Sequence, residues 1–271
     1  MSDLNDQSFS LEDQYKNASN LTARRGLHAR FSVNPYGFTR WVFDHLTVPA
    51  SARILELGCG EGSFWKDNAS RIPAGWDIIL SDAFPGMLDD ARQNLGDRAS
   101  RFKFSVIDAQ AIPLADHSFD AVLANHMLYH VPDRPAALGY IHRILKPGGI
   151  LIATTNGRNH LNELLDLVRQ FNPAIDAFTV KNYLAFGLEN GAGQLSHFFP
   201  DVQLFRYEDA LAVTDPGPLA DYIRSTRGNA RAILVGETLE RFVRLLENKM
   251  KPQGILRLTK DSGLFKCVKG A

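Results

Sequence analysis

The chain has 271 residues, of which 45% are apolar and 22% charged, an ordinary balance for a globular protein with a real core, so disordered, collagen-like and coiled-coil architectures are excluded. Thirty Lys and Arg offset thirty Asp and Glu, giving a formal net charge of zero. A protein that grips nucleic acid needs a basic excess, so a small neutral or mixed-charge partner fits better than a nucleic acid. The two cysteines, Cys59 and Cys267, form neither a disulfide framework nor a metal-ligand cluster, which leads us to expect a reducing, cytoplasmic compartment and no bound metal. No run reaches the ~18 apolar residues of a membrane span, and the opening MSDLNDQSFSLEDQ lacks the layout of a signal peptide.

In chain order, residues 1–50 read as a helical arm or cap, with Phe38, Trp41, Val42, Phe43 and Leu46 at helix-like spacing. Tyr15, Arg24, Arg25 and His28 either close over a ligand or form a solvated face. From 53 to 155 short apolar runs alternate with helical patterns, as in βαβ units that build a parallel sheet covered on both faces. The runs lie at 53–57, 76–81, 102–107, 119–124 and 150–154. Helices are expected at 85–95, where Met87, Leu88, Ala91 and Leu95 share one stripe, and at 134–145, closed by Lys146-Pro-Gly-Gly149. Residues 156–200 break the rhythm, since Pro173, Gly187, Gly191 and Gly193 interrupt any long element; this stretch reads as an insertion or lid. Strand patterns return at 202–207 and 211–213, a helical stripe runs from Leu239 to Met250, and 263–268 reads as a closing strand.

The decisive stretch is Ile54-Leu-Glu-Leu-Gly-Cys-Gly-Glu-Gly-Ser-Phe64. A buried strand runs into glycines at 58, 60 and 62, where the chain must turn sharply and let a ligand approach its backbone. The dinucleotide fingerprint wants its third glycine three residues after the second, but position 63 is Ser, so the spacing argues against a diphosphate cradle. Glu56, two residues before the loop, would repel phosphate and suits a cationic ligand such as a sulfonium carrying an ammonium group.

The sequence Glu56-Leu-Gly-Cys-Gly-Glu-Gly62 resembles motif I of the class I S-adenosylmethionine-dependent methyltransferases. The resemblance continues through Asp82, Asp108-Ala109, Ile112 to Asp120, Asn125 to Asp133, and Leu145 to Leu151. It covers about residues 53–155 and is closest in character to the small-molecule subgroup of the ubiquinone and menaquinone type. It implies a Rossmann-like, seven-stranded, mostly parallel sheet with helices on both faces, an N-terminal helical arm and an inserted lid. The methyltransferase domain would span 51–271, with an acceptor-binding insertion at about 156–225.

The resemblance also implies S-adenosylmethionine as cofactor, S-adenosylhomocysteine as product and a small-molecule acceptor. Its binding residues would be Glu56, Gly58, Cys59, Gly60, Asp82, Ala83, Met87, Asp108, Ala109, Asn125 and Tyr15, with Asp82 on the ribose hydroxyls and Asp108 on the adenine amino group. Other uses of the same residues stay open. Asp82 can cap the following helix, Asp108 can be a turn residue, and Cys59 is a space-filler whose backbone matters. His126 and His130 are either structural or the general base, with His130 favoured by its position after the fourth strand. The runner-up function is a methyltransferase-like sensor or scaffold that binds the cofactor without transfer.

Overall fold

The computed structural model describes residues 19–176, 182–226 and 228–270, with side chains from residue 24 onward; Tyr15 lies outside the described residues. The chain divides into two compact units. One comprises residues 38–157, 183–207 and 262–270; the other takes in the described residues of 1–37, 158–182 and 208–261. The strands are β1 (Arg53–Leu57), β2 (Asp77–Asp82), β3 (Lys103–Val106), β4 (Phe119–Asn125), β5 (Leu145–Asn156), β6 (Asp201–Val213) and β7 (Leu256–Val268). The helices that matter below are α1 (Ser19–Phe31), α2 (Phe38–Asp44), α3 (Ser63–Asp67), α4 (Pro85–Leu95), α5 (Arg134–Ile144), α6 (Asn162–Phe171), α7 (Pro216–Arg224) and α8 (Gly236–Met250).

The seven strands form one sheet in the order β3-β2-β1-β4-β5-β7-β6. Pairs β1 with β2, β1 with β4, β2 with β3 and β4 with β5 are parallel, and β7 runs antiparallel to β5. The chain steps outward from β1 to β3, then returns to β4 on the other side of β1. Strand order therefore reverses between β1 and β4, and a crevice opens beyond their carboxyl ends, the place where open α/β sheets bind ligands.

Side-chain alternation explains why these runs are strands rather than helices. Leu55, Leu57, Val122, Ala124, Leu151, Ala153, Phe265 and Cys267 point to one face and pack with Ala137, Leu138, Ile141 and Ile144 of α5. Ile54, Ala121, Leu123, Ile150, Ile152 and Leu264 point to the other, against Val42 and Phe43 of α2, Phe64 and Trp65 of α3, and Leu88 and Leu95 of α4. Both faces are covered, which is why the central strands are nearly continuous apolar runs. Each buried Leu or Ile contributes about 1.5–3 kcal/mol.

Several elements differ from the sequence expectation, among them β7, which begins at Leu256 and not at 263. Strand β5 begins at Leu145 and carries Lys146 to Gly149 within it, instead of starting after a helix stop. The patterns at 202–207 and 211–213 belong to one strand, β6. Within 156–200, where breakers suggested no long element, α6 runs for ten residues with Leu164, Leu165, Leu167 and Val168 buried; the breakers all lie beyond its end. In the second unit α6 shares a core with Leu27 and Phe31 of α1, Leu219 and Ile223 of α7, and Phe242 and Leu246 of α8.

A lysine closes the first unit's α5. Lys269, just after β7, donates from Nζ to the carbonyls of His142 (2.7 Å) and Leu145 (2.8 Å) and to His117 Nδ1 (3.1 Å), placing a cation where the last helical carbonyls are otherwise unsatisfied. Substituting Lys269→Met strands those acceptors, and we expect a loss of about 1–3 kcal/mol. Thermal denaturation reads this as a drop of about 2–4 °C per kcal/mol; an unchanged midpoint would contradict the capping role.

Candidate functional site

The loop after β1 turns on three left-handed glycines: Gly58, Gly60 and Gly62 have φ of 63°, 54° and 72°. These values suit glycine because other residues meet their own Cβ there. At Gly58 the requirement is also one of space, since an added Cβ would lie 2.9 Å from Met127 Cβ. The loop is tied to the neighbouring strand end: the Cys59 N–H donates to Ser81 O at 2.8 Å, and the Gly60 N–H to Asp82 Oδ2 at 3.1 Å. Burial, reinforced by the negative charges of Glu56 and Asp82, pushes the Cys59 thiol well up. It therefore stays a thiol, and its part in the loop is backbone and volume.

Glu56 is buried, with 1% of its surface exposed. Trp65 Nε1 donates to its Oε2 at 2.6 Å and Asn125 Nδ2 to its Oε1 at 2.8 Å. One carboxylate on β1 thereby holds the helix that follows the glycine loop and the last residue of β4. Burial pushes its pKa up to about 7, the Asp82 charge adding to the rise while the two donors oppose it.

Asp82, also buried, accepts from the Gly60 N–H and, at 3.0 Å, from the Phe84 N–H that leads into α4. Burial raises its pKa as well. Each carboxylate oxygen has a second lone pair, so fixing the loop leaves acceptor capacity for a ligand. Asp108 is exposed and its Oδ1 accepts from the Gln110 N–H at 2.8 Å, a turn-forming contact. Ala83 is exposed, whereas Met87 and Ala109 are buried.

The two histidines differ in setting. His126 follows β4 with a φ of 50°, a left-handed conformation that costs a non-glycine residue about 1–2 kcal/mol. Its N–H donates to both the carbonyl (3.2 Å) and Oγ1 (3.0 Å) of Thr154, a fully buried residue of β5. The ring lies 5.5 Å from that of Phe38 and 6.3 Å from that of Tyr129. His130 instead ends a regular 3-10 turn, Leu128–His130, with its N–H on Met127 O at 2.9 Å and its ring 4.5 Å from Tyr129.

The hydrogen bonds bring Glu56, Gly60, Asp82 and Asn125 together at the carboxyl ends of β1, β2 and β4, with Gly58 and Cys59 in the loop between them. His126 adjoins Asn125, and Asp108 and Ala109 follow the end of β3. Two contributors were missed by sequence reasoning. Trp65 had a faint signal, since strand alternation puts Glu56 on the same face as Ile54, the face that α3 covers. Thr154 had none, because its contact with His126 depends on the register of β4 against β5.

The raised pKa of Glu56 sets a sign for stability. A folded-state value above the ordinary 4.5 means the native protein favours the protonated form; the stabilisation is complete below about 4.5 and is lost as pH rises through about 7. A shift of this size corresponds to about 3 kcal/mol. We expect Glu56→Gln to remove about that much of the stability difference between pH 5 and pH 8 in denaturant titrations. Parallel profiles for the two proteins would contradict the assignment.

Residues 55–153 match the family model described as a methyltransferase domain. The chain is 32% identical over 121 residues to malonyl-[acyl-carrier protein] O-methyltransferase of Serratia marcescens, covering 44% of either protein. It is 32% identical over 128 residues to the ubiquinone/menaquinone biosynthesis C-methyltransferase UbiE of Cellvibrio japonicus, covering 46% of this chain and 51% of the relative. The chain thus spans about half the length of the curated relatives it matches. Among solved structures, phosphoethanolamine N-methyltransferase 2 of Haemonchus contortus, in complex with phosphomonomethylethanolamine and S-adenosylhomocysteine, superposes with a TM-score of 0.60 at 19% identity, over 97% of this chain and 59% of that one. The YcgJ protein of Bacillus subtilis gives 0.57 at 15% identity, over 86% of this chain and 98% of that one. At these identities the structures establish the fold alone.

Proposed function

We propose that the chain, whose residues 55–153 match a methyltransferase domain, is a class I S-adenosylmethionine-dependent enzyme that transfers a methyl group from S-adenosylmethionine to a small-molecule acceptor and releases S-adenosylhomocysteine. The observation that carries this reading is the left-handed glycine loop bound to Asp82 at the switch point of the sheet. The residues fit the cofactor: the glycines of the loop have no Cβ where a ligand must approach, and the Asp82 carboxylate stands beside the loop where a diphosphate would be repelled.

In this proposal the backbone of Gly58, Cys59 and Gly60 cups the amino-acid end. Asp82 accepts from the ribose hydroxyls with the lone pairs it does not use on Gly60 and Phe84, and Ala83 and Met87 line that side. Asp108 takes the adenine amino group and the Ala109 N–H a ring nitrogen. Glu56 acts through Asn125, holding the amide in one orientation. When bound, the cofactor supplies an electrophilic methyl on a sulfonium, with a neutral thioether as leaving group.

The protein's work is then alignment for an in-line displacement and exclusion of water, for which positioning can supply up to about 7–11 kcal/mol. An acceptor that starts as a hydroxyl, enol or activated carbon needs its proton removed. We assign that step to His126 ahead of His130, because the Thr154 contacts fix its backbone and Phe38 neighbours its ring. The even charge balance supports a small molecule over a nucleic acid, and two cysteines that build no disulfide framework support a cytoplasmic setting.

We expect Asp82→Ala to weaken S-adenosylhomocysteine binding by at least about tenfold, or about 1.4 kcal/mol, in calorimetry, while the protein stays folded. Unchanged affinity would remove Asp82 from the site. Methyl-labelled cofactor offered with a metabolite panel should label an acceptor; binding without any labelling would leave the sensor reading in its place.

A further inference from the structure

Within the first unit, one half-buried cation has no counter-charge. Arg134 is the first residue of α5, which begins where the loop after β4 ends. It therefore stands at the carboxyl ends of the strands, the same edge of the sheet as the glycine loop. Its Nε–H donates to Gln194 Oε1 at 3.1 Å and its Nη1 to Val131 O at 2.8 Å. A guanidinium carries five N–H donors, so both hydrogens of Nη2 and one of Nη1 have no partner among the described residues. Arg134 forms no ion pair among them either. The residue is half-buried and not sealed, and burial lowers its pKa with no acid acting in the other direction.

The surroundings hold this guanidinium in place. Gln194 lies on the short helix Gly191–Leu195, and its Nε2 donates to Ala185 O at 3.0 Å, which fixes the amide with its oxygen toward Arg134. Asn190 ties the same segment, accepting from the Gly187 N–H at 2.7 Å and donating to Tyr183 O at 3.1 Å. Arg134 thus bridges the loop after β4 to residues 183–195, part of the stretch expected from sequence to bind the acceptor. The acid next to it in the chain, Asp133, is engaged by the helix, its Oδ1 accepting from the Ala136 N–H at 3.0 Å.

Partly burying a cation without a counter-ion sacrifices hydration, a cost that an anionic ligand offsets. We propose that Arg134 binds a carboxylate, which makes the acceptor of the methyl-transfer reading a small organic acid. The open hydrogens suffice for two charge-assisted hydrogen bonds, and the planar guanidinium suits a planar carboxylate. One permanent positive charge balances a monoanion, while the adjacent Asp133 carboxylate disfavours a phosphate dianion. The identity of the ligand as acceptor rests on the methyl-transfer reading; the binding of a carboxylate does not.

The test uses the whole protein and follows the Arg134 Nε–H and Gln194 side-chain amide signals by NMR, assigned through R134Q and Q194A. Acetate and benzoate serve as probes, with acetamide and benzamide as neutral counterparts of the same shape. At least one acid should shift both signals saturably while its amide does not, a difference that a merely structural tie between Val131 and Gln194 would not produce. Read at Gln194, R134Q should weaken that acid by about tenfold or more, as expected for loss of a charge-assisted pair. R134K, which keeps the charge without the fork, should recover part of the loss, and R98Q, at an exposed arginine, should leave binding within about twofold. The proposal is overturned if neither acid gives a saturable shift, if the amides act like the acids, if folded R134Q binds as tightly as the wild type, or if inorganic phosphate displaces the acid at about tenfold lower concentration. Should R134Q fail to fold, the comparison of acid with amide in the wild type decides by itself. The titration needs no cofactor, so its failure strikes the carboxylate site, whereas failure of methyl-labelled cofactor to label any acceptor strikes the methyl-transfer reading.

Discussion

The Glu56 carboxylate, buried at the end of β1 and accepting from Trp65 and Asn125, is the contact on which the geometry of the site depends. It joins the strand before the glycine loop to the helix after it, and both to the last residue of β4. Removing a charge from water is costly unless donors replace the lost hydration. Here two donors do so only in part, and the carboxyl is left titrating near neutrality. A buried acid in that condition adds little stability above neutral pH; its value lies in fixing direction, since Trp65 and Asn125 are both aimed at it. Asp82 repeats the device one strand away with backbone donors in place of side chains.

The sheet makes that device useful. Reversal of strand order between β1 and β4 brings two carboxyl ends side by side, each followed by chain that turns away. The core on both faces holds the strands in register through alternating side chains, so Asn125 and Glu56 meet at hydrogen-bond distance even though 69 residues separate them. Similarly, the register of β4 against β5 sets Asn125 opposite Thr154, and the next residue, His126, takes its strained conformation against that partner. Strained backbone persists where its surroundings over-determine it, and His126 is held in this way by Thr154.

Much of this was legible in the sequence because the central strands are short apolar runs bounded by glycine, proline or acid. The run at 53–57 is β1 residue for residue, and the run at 119–124 falls one residue short of β4. The glycine spacing identified the turn for a physical reason, since all three positions require positive φ. Less legible was the direction of Glu56. Read as a charge facing a ligand, it instead reaches inward to Trp65, nine residues later in the chain, and no local pattern connects the two. Helix α6 was hidden by the glycines and proline that follow it, although Leu164, Leu165, Leu167 and Val168 already trace its buried stripe. The partners of Lys269 and His126 depend on strand neighbours distant in sequence, which periodicity does not encode.

The central claim is that the loop after β1 accepts an adenosyl sulfur compound and rejects a diphosphate. Competitive equilibrium dialysis of the intact protein against S-adenosylhomocysteine and a reduced nicotinamide dinucleotide addresses it most directly. The account predicts retention of the adenosyl compound, undisturbed by excess dinucleotide. Retention of the dinucleotide with no uptake of S-adenosylhomocysteine would contradict it.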